Sequence, residues 1–267
     1  MPELTANGLR FHVVQLGGDG HDERPVVVFL HGLIMDNLSS FYYTLAPRVA
    51  HDASVVLYDQ RGHGRTERPA TGYTPDDAVT DLMGVLDALD ITRPVHLIGN
   101  SYGGTVALAA AAQRPERVAG LVLIEGIPLM SGWGRRLVEM PQALVADFDQ
   151  PDVQDYLSRA GRKIRRMART CEDLLVRSSL PVDLAEAPEM TVEELASIRC
   201  PVLALYGEQS DMLEEAALID SAVPRCKLHL LEGCTHSVLM EAPDEVEDEI
   251  RAWLAAVASA EARDEDG

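Results

Sequence analysis

The sequence predicts an α/β domain with a mostly parallel sheet held between layers of helices, and three observations carry that reading. Short strand-like runs alternate with helical patterns along the chain. The runs VVVFL (26–30), LVLI (121–124) and VLALY (202–206) are apolar at successive positions, as suits strands covered on both faces. The 267 residues, 46% of them apolar and 25% charged, are enough to bury a large core.

The strands expected in order are Leu9–Leu16, Val26–Leu30, Ser54–Tyr58, Val95–Ile98, Val118–Ile124, Val202–Tyr206 and Lys227–Leu231. Between the third and fourth, Thr74-Pro75-Asp76-Asp77 opens a helix: a capping hydroxyl, a proline in the first turn, then two acids favoured by the dipole. Val79, Leu82, Met83, Leu86 and Leu89 fall on one face of it. A helix over Pro243–Ser259 closes the fold, and the tail EARDEDG, with nothing to bury, is expected to be disordered. Between about Leu129 and Met190 the alternation pauses and the pattern is helical. This stretch reads as a lid inserted over the carboxyl edge of the sheet, within a single domain spanning 1–267.

With 43 acidic against 23 basic residues the net charge is -20. Such a field repels phosphate backbones and argues against a nucleic-acid partner; the acid surplus otherwise serves solubility. Cys171, Cys200, Cys226 and Cys234 form no CxxC pair and read as reduced thiols, most of them buried. The start MPELTANGLRFHVV lacks the basic and apolar regions of a secretion signal, and no run reaches 18 apolar residues. The expectation is a cytoplasmic protein with no membrane partner.

Gly99-Asn-Ser101-Tyr-Gly103 is a G-x-S-x-G pentapeptide with a strand before it and the helical run TVALAAAAQ after it. A sharp strand-to-helix turn would strain Ser101, require small residues two positions away, and expose the hydroxyl at the top of the sheet. It would also set the Tyr102 amide at a helix N-terminus, facing a developing anion. A serine nucleophile needs a base. His12, His96 and His229 lie in strand runs, His21 and His51 in polar connections, and His31 and His63 in glycine turns. His236 remains, just past the last strand and so on the same edge as Ser101. For the carboxylate that orients the base, Asp211 beyond the turn Gly207-Glu-Gln-Ser is the first choice, and Glu125 at the end of LVLIEG competes with it. The turn His31-Gly32-Leu33 after VVVFL offers a second oxyanion donor, the Leu33 amide, with Gly32 free to adopt an unusual backbone angle.

Taken together, HGLI, Asp59-Gln-Arg-Gly-His-Gly-Arg-Thr66, GNSYGG, LYGEQSD and GCTHSVLMEAPDEV resemble the α/β-hydrolase superfamily, in the family's order from about Pro25 to Trp253. The order Ser101, Asp211, His236 is also that family's. The resemblance implies the α/β-hydrolase fold with an eight-stranded, mostly parallel sheet, hence one further strand near the N-terminus, and makes Asp59–Thr66 a structural turn. One departure keeps Glu125 in play: the step from Gly207 to Asp211 is one residue longer than many relatives use.

Serine at the elbow, where epoxide- and halide-cleaving relatives carry aspartate, points to attack on a carbonyl and an acyl-enzyme. There is no metal cluster and no dinucleotide fingerprint, so no cofactor is expected. The leading expectation is hydrolysis of an ester or thioester of a small organic acid. Two alternatives stand beside it: an acyltransferase or thioesterase fed by a carrier-protein or coenzyme A thioester, and a small-molecule receptor that retains a triad. The carrier alternative rests on YLSRAGRKIRRMARTC (156–171), which has six basic residues and no acid. As a helix it places Arg159, Arg162, Lys163, Arg166 and Arg169 on one face, either a solvated face or an anion-docking one. Met130, Trp133, Leu137 and Met140 are spaced for helix packing or for an apolar pocket wall.

Overall fold

The computed structural model describes residues 3–130, 132–146, 150, 159 and 162–265, with side chains described outside 140–146, 162–167 and 261–265. Its strands are β1 (Glu3–Ala6), β2 (Leu9–Leu16), β3 (Val26–Leu30), β4 (Ser54–Tyr58), β5 (Val95–Asn100), β6 (Val118–Ile124), β7 (Val202–Gly207) and β8 (Cys226–Leu231). They form one 8-stranded sheet in the order β1-β2-β4-β3-β5-β6-β7-β8. The β1/β2 and β2/β4 pairs are antiparallel and all the others parallel. This is the α/β-hydrolase fold, and β1 is the additional N-terminal strand that the resemblance implied.

The helices are α1 (Ser39–Tyr42), α2 (Ala46–Val49), α3 (Pro75–Ala88), α4 (Tyr102–Gln113), α5 (Trp133–Ala146), α6 (Arg162–Val176), α7 (Leu180–Ala185), α8 (Val192–Ser197), α9 (Leu213–Ala222), α10 (Val238–Glu241) and α11 (Pro243–Glu265). The continuous apolar runs are explained by what covers each face. Val26, Val28 and Leu30 of β3 join Leu82, Leu86 and Val106 from α3 and α4 in one core. Val27 and Phe29, on the opposite face, pack with Phe41, Val49, Val246 and Ile250 from α1, α2 and α11. A period of two along the strand therefore yields no polar position, because both faces are interior.

The α3 start is as the sequence predicts: Thr74 Oγ1 accepts from the Asp77 amide while the Asp77 carboxylate accepts from the Thr74 amide. One buried residue on α3 is charged. Asp81 receives a two-pronged ion pair from Arg61, 2.5 and 2.7 Å long, which holds the turn after β4 against the helix. The closing helix is longer than expected. It runs through Ser259 to Glu265, so most of the tail continues the helix, as its alanines, glutamates and arginine favour.

Helices α5, α6 and α7 lie between β6 and β7, where the lid was expected. Trp133 Nε1 donates to Glu215 on α9 at 2.6 Å, and Arg68 reaches Thr170 Oγ1 on α6 at 2.9 Å. The Gly72 and Tyr73 amides both donate to Asp183 on α7. The insertion is thus tied to the sheet domain by polar contacts at several points. Among the described residues no helix is long and apolar enough to cross a membrane, and no group of histidine, cysteine and acidic side chains is placed to hold a metal ion. All four cysteines are free; Cys171 and Cys234 are buried, Cys200 and Cys226 half-buried.

Candidate active site

Asn100, the last residue of β5, pairs with Ile124, the last of β6, and the Ser101 amide donates to the Ile124 carbonyl at 2.9 Å. Ser101 follows directly and adopts φ 51°, ψ −116°, a region that L-residues seldom occupy and that costs about 1–3 kcal/mol. The flanking glycines make this turn sterically feasible. A Cβ on Gly99 would stand 2.3 Å from the Gly103 carbonyl oxygen, and one on Gly103 would stand 2.0 Å from the Leu30 carbonyl oxygen. Strand and helix therefore approach so closely that only hydrogen fits at either position. The serine side chain is half-buried, and among the described residues its hydroxyl makes no hydrogen bond. Catalytic contacts of this kind commonly tighten only when substrate arrives.

His236 lies in the segment after β8, on the same carboxyl edge. Its Nδ1 is 2.9 Å from Glu125 Oε2. A carboxylate can only accept, so Nδ1 carries the proton and Nε2 is left as the basic nitrogen. The carboxylate that meets His236 is thus that of Glu125, the competing choice, rather than that of the first choice, Asp211. Asp211 is exposed, beyond the β7 turn, and acts on His236 through its charge. Glu125 is fully buried, sits one residue past β6, and has φ 52°, left-handed like Ser101. Its amide continues the ladder by donating to the Leu205 carbonyl at 2.9 Å. Its carboxylate is fully engaged: Oε1 accepts from the Gly207 amide at 2.6 Å, and Oε2 accepts from Ser210 Oγ at 2.6 Å as well as from His236. A buried carboxylate needs donors in place of water, and Glu125 has three.

The two environments act oppositely on His236. Burial disfavours the imidazolium, but the hydrogen bond and charge of Glu125, together with the charge of Asp211, outweigh it. The imidazole is therefore raised above its ordinary value.

The two expected oxyanion donors flank the serine's edge. Tyr102 opens α4, where its amide has no intrahelical acceptor. Leu33 follows the His31-Gly32 turn, and among the described residues its amide donates to no protein group. The unusual backbone angle expected at Gly32 is found two residues later, at Ile34, with φ 64°. Gly32 instead donates its amide to Asp36 Oδ2 at 2.8 Å. The Ile34 amide donates to His63 Nε2 at 2.7 Å, and the Gln60 amide to His31 Nε2 at 2.9 Å, so both turn histidines are backbone acceptors. Asp59 holds the Leu38 and Arg65 amides and meets His12 Nδ1 at 2.8 Å, as befits a structural turn.

Of the basic residues expected on the lid, Arg159 and Arg169 are exposed, while the side chains of Arg162, Lys163 and Arg166 lie outside the described residues, as does that of Met140. Sequence reasoning passed over Ser210. Its signal was the extra residue between Gly207 and Asp211, which puts a serine, not an acid, three positions after the glycine.

A family profile described as the alpha/beta hydrolase family matches residues 27–249. The chain belongs to this family. The α/β-hydrolase is 30% identical over 213 residues to the 2-hydroxymuconate semialdehyde hydrolase of Pseudomonas sp. (strain CF600), covering 73% of this chain and 74% of that one. Its fold is similar to that of a carboxylesterase from Nitrososphaera gargenis, with a TM-score of 0.76, 24% identity, and coverage of 97% of this chain and 100% of that one. It is also similar to the enol-lactonase of Burkholderia xenovorans LB400, with a TM-score of 0.72, 22% identity, and coverage of 95% and 100%. The protein is an enzyme of the α/β-hydrolase type.

Proposed function

We propose that this α/β-hydrolase cleaves an ester or thioester of a small organic acid through a Ser101 acyl-enzyme. The observation that carries the reading is the hydrogen bond between buried Glu125 and His236 on the sheet edge that also presents the strained Ser101. Ser101 Oγ adds to the substrate carbonyl carbon while His236 Nε2 takes the hydroxyl proton. The Leu33 and Tyr102 amides receive the tetrahedral oxyanion. Collapse of the intermediate breaks the bond to the leaving alcohol or thiol, which departs with the proton held by His236. Water, deprotonated by His236, then attacks the acyl carbon, and the acid leaves as Ser101 recovers its proton. Glu125 remains ionised throughout and balances the imidazolium.

A second reading, hydrolysis of an activated carbon–carbon bond beside a ketone, is favoured by the 30% identity to a 2-hydroxymuconate semialdehyde hydrolase. The same attack on a carbonyl would serve it, with a stabilised carbanion as leaving group.

Intact-protein mass spectrometry tests both readings after exposure to free esters, lactones, acyl-coenzyme A and a dienol ketone acid. A mass gain from an ester, lactone or thioester that disappears in Ser101→Ala supports the acyl-enzyme. Turnover of the ketone acid alone moves the assignment to carbon–carbon cleavage. Loading by acyl-coenzyme A alone would revive the carrier-thioester alternative, and ligand binding without turnover the receptor one.

A further inference from the structure

Ser210 stands at a point of the site that the triad description does not use. Its Oγ is 2.6 Å from Glu125 Oε2, the same oxygen that faces His236 Nδ1 at 2.9 Å. The direction of this bond is fixed from both sides. Oγ accepts from the Met212 amide at 3.1 Å, and the carboxylate has no proton to give, so the Ser210 hydroxyl donates to Oε2. Ser210 is buried, and its place is set by its own amide donating to the Gly207 carbonyl at 3.0 Å. Gly207 in turn donates to the other carboxylate oxygen, Oε1. The end of β7 and the turn after it therefore grip both oxygens of an acid that directly follows β6.

We propose that Ser210 is a positioning residue of the catalytic machinery, which fixes the Glu125 carboxylate and moderates, through Oε2, how strongly it holds the His236 imidazolium. The proposal rests on the acyl-enzyme reading for its catalytic meaning, but its effect on His236 can be read without any substrate. The groups that act on His236 are Glu125 from the end of β6 and Asp211 from the β7–α9 turn. Glu208, from the same β7–α9 turn, and Glu241, from α10, are engaged with the Gly233 and Thr235 amides of the segment that carries His236. Tyr206, whose hydroxyl donates to the Gly126 carbonyl, is buried near enough to feel the charge of the acid. With the hydroxyl removed, Oε2 keeps more of its negative charge for the imidazolium, so the histidine holds its proton to higher pH.

The test compares wild type, Ser210→Ala and Ser210→Thr, with Ser101→Ala as the activity control. The His236 imidazole is titrated by nitrogen NMR, and kcat and KM are followed against pH on the ester found to load the enzyme. For Ser210→Ala the expectation is a His236 titration and an acid limb of kcat/KM both moved to higher pH. kcat should fall about 10- to 100-fold, as for a lost hydrogen bond to a charged group, with KM nearly unchanged. Ser210→Thr, which keeps the hydroxyl, should restore both. If the His236 titration in folded Ser210→Ala coincides with wild type, the proposal is wrong. It is equally wrong if Ser210→Thr behaves as Ser210→Ala while its thermal unfolding matches wild type. Failure of the acyl-enzyme reading shows separately, as turnover that survives Ser101→Ala, and leaves the NMR comparison standing.

Discussion

Glu125 and His236 are 111 residues apart in the sequence, and their side chains meet at 2.9 Å. The acid sits one residue beyond β6 and the base follows β8, so the pair bridges across the end of β7. Replacing Glu125 by Gln keeps the shape but supplies an amide that can present the wrong partner to Nδ1. The expectation is a loss of roughly 10³–10⁴ in kcat, the scale seen when a triad acid becomes an amide. Asp211→Asn should cost only a few-fold, about what removing one exposed charge does to a neighbouring titration. Steady-state kinetics of the two variants side by side decide which residue is the acid; a larger loss in Asp211→Asn than in Glu125→Gln would return the role to Asp211.

The pH profile follows from the raised His236. Catalysis needs the neutral imidazole, so kcat/KM should fall as pH drops through a value above the ordinary 6.5. Asp211→Asn removes one of the charges that raise it and should move this limb to lower pH. Stability runs in the opposite sense. A histidine whose folded value is raised contributes stability that is complete below its unfolded value and is lost as pH rises through the folded one. Activity and this part of the stability therefore trade against each other as pH rises from the ordinary imidazole value through the raised one, which thermal unfolding from pH 5 to 9 in wild type and His236→Gln would show.

Ser101 offers a test in which function and stability separate. At φ 51°, ψ −116° a side chain is strained, and glycine is not. Ser101→Gly should abolish acylation while stabilising the fold by about 1 kcal/mol, which is roughly 2–4 °C in Tm for a chain of this size. An unchanged or lowered Tm would mean the turn is relaxed.

Gly103→Ala should do the reverse. Its methyl would stand 2.0 Å from the Leu30 carbonyl oxygen, which neither strand nor helix can yield without moving the elbow. The expected cost is about 1–3 kcal/mol or more, with loss of activity; denaturant unfolding measures the first and serine labelling the second.

The Arg61–Asp81 pair should be among the costliest polar contacts to break. Asp81→Ala takes two hydrogen bonds from a largely buried guanidinium and leaves it the Gly72 carbonyl and the more distant Asp77, at roughly 3 kcal/mol in chemical denaturation.

The elements legible in the sequence were those that repeat a local rule. VVVFL, LVLI and VLALY could be read because a strand covered on both faces has no polar position, and α3 because its capping box is written in four residues. The elbow was legible for the same reason, since a tight turn needs glycine on both sides of Ser101. The acid was not, because a carboxylate's role depends on which neighbours donate to it. Asp211 and Glu125 both follow strands that end on the same edge, and only the fold shows Gly207 and Ser210 converging on one and leaving the other in water. The four-residue β1 was missed by pattern because ELTA carries too little periodicity to stand apart from the polar start. The Ile34 conformation gave no signal, since a β-branched residue is the last one expected at a positive φ.

His63 gives the reaction edge a part that does not take part in its proton traffic. Burial, reinforced by the neighbouring His31, pushes this imidazole down to about 3, and its Nε2 is committed to the Ile34 amide one residue beyond the expected oxyanion donor. An imidazolium there could not accept that bond, so the loop is sound only while His63 stays uncharged. In one fold, the same side-chain type serves once as a valve and once as a hinge pin. The valve opens and shuts above the ordinary imidazole value, and the pin stays neutral down to about 3. Acid should therefore charge His236 well before it charges His63 and loosens the loop that carries Ile34.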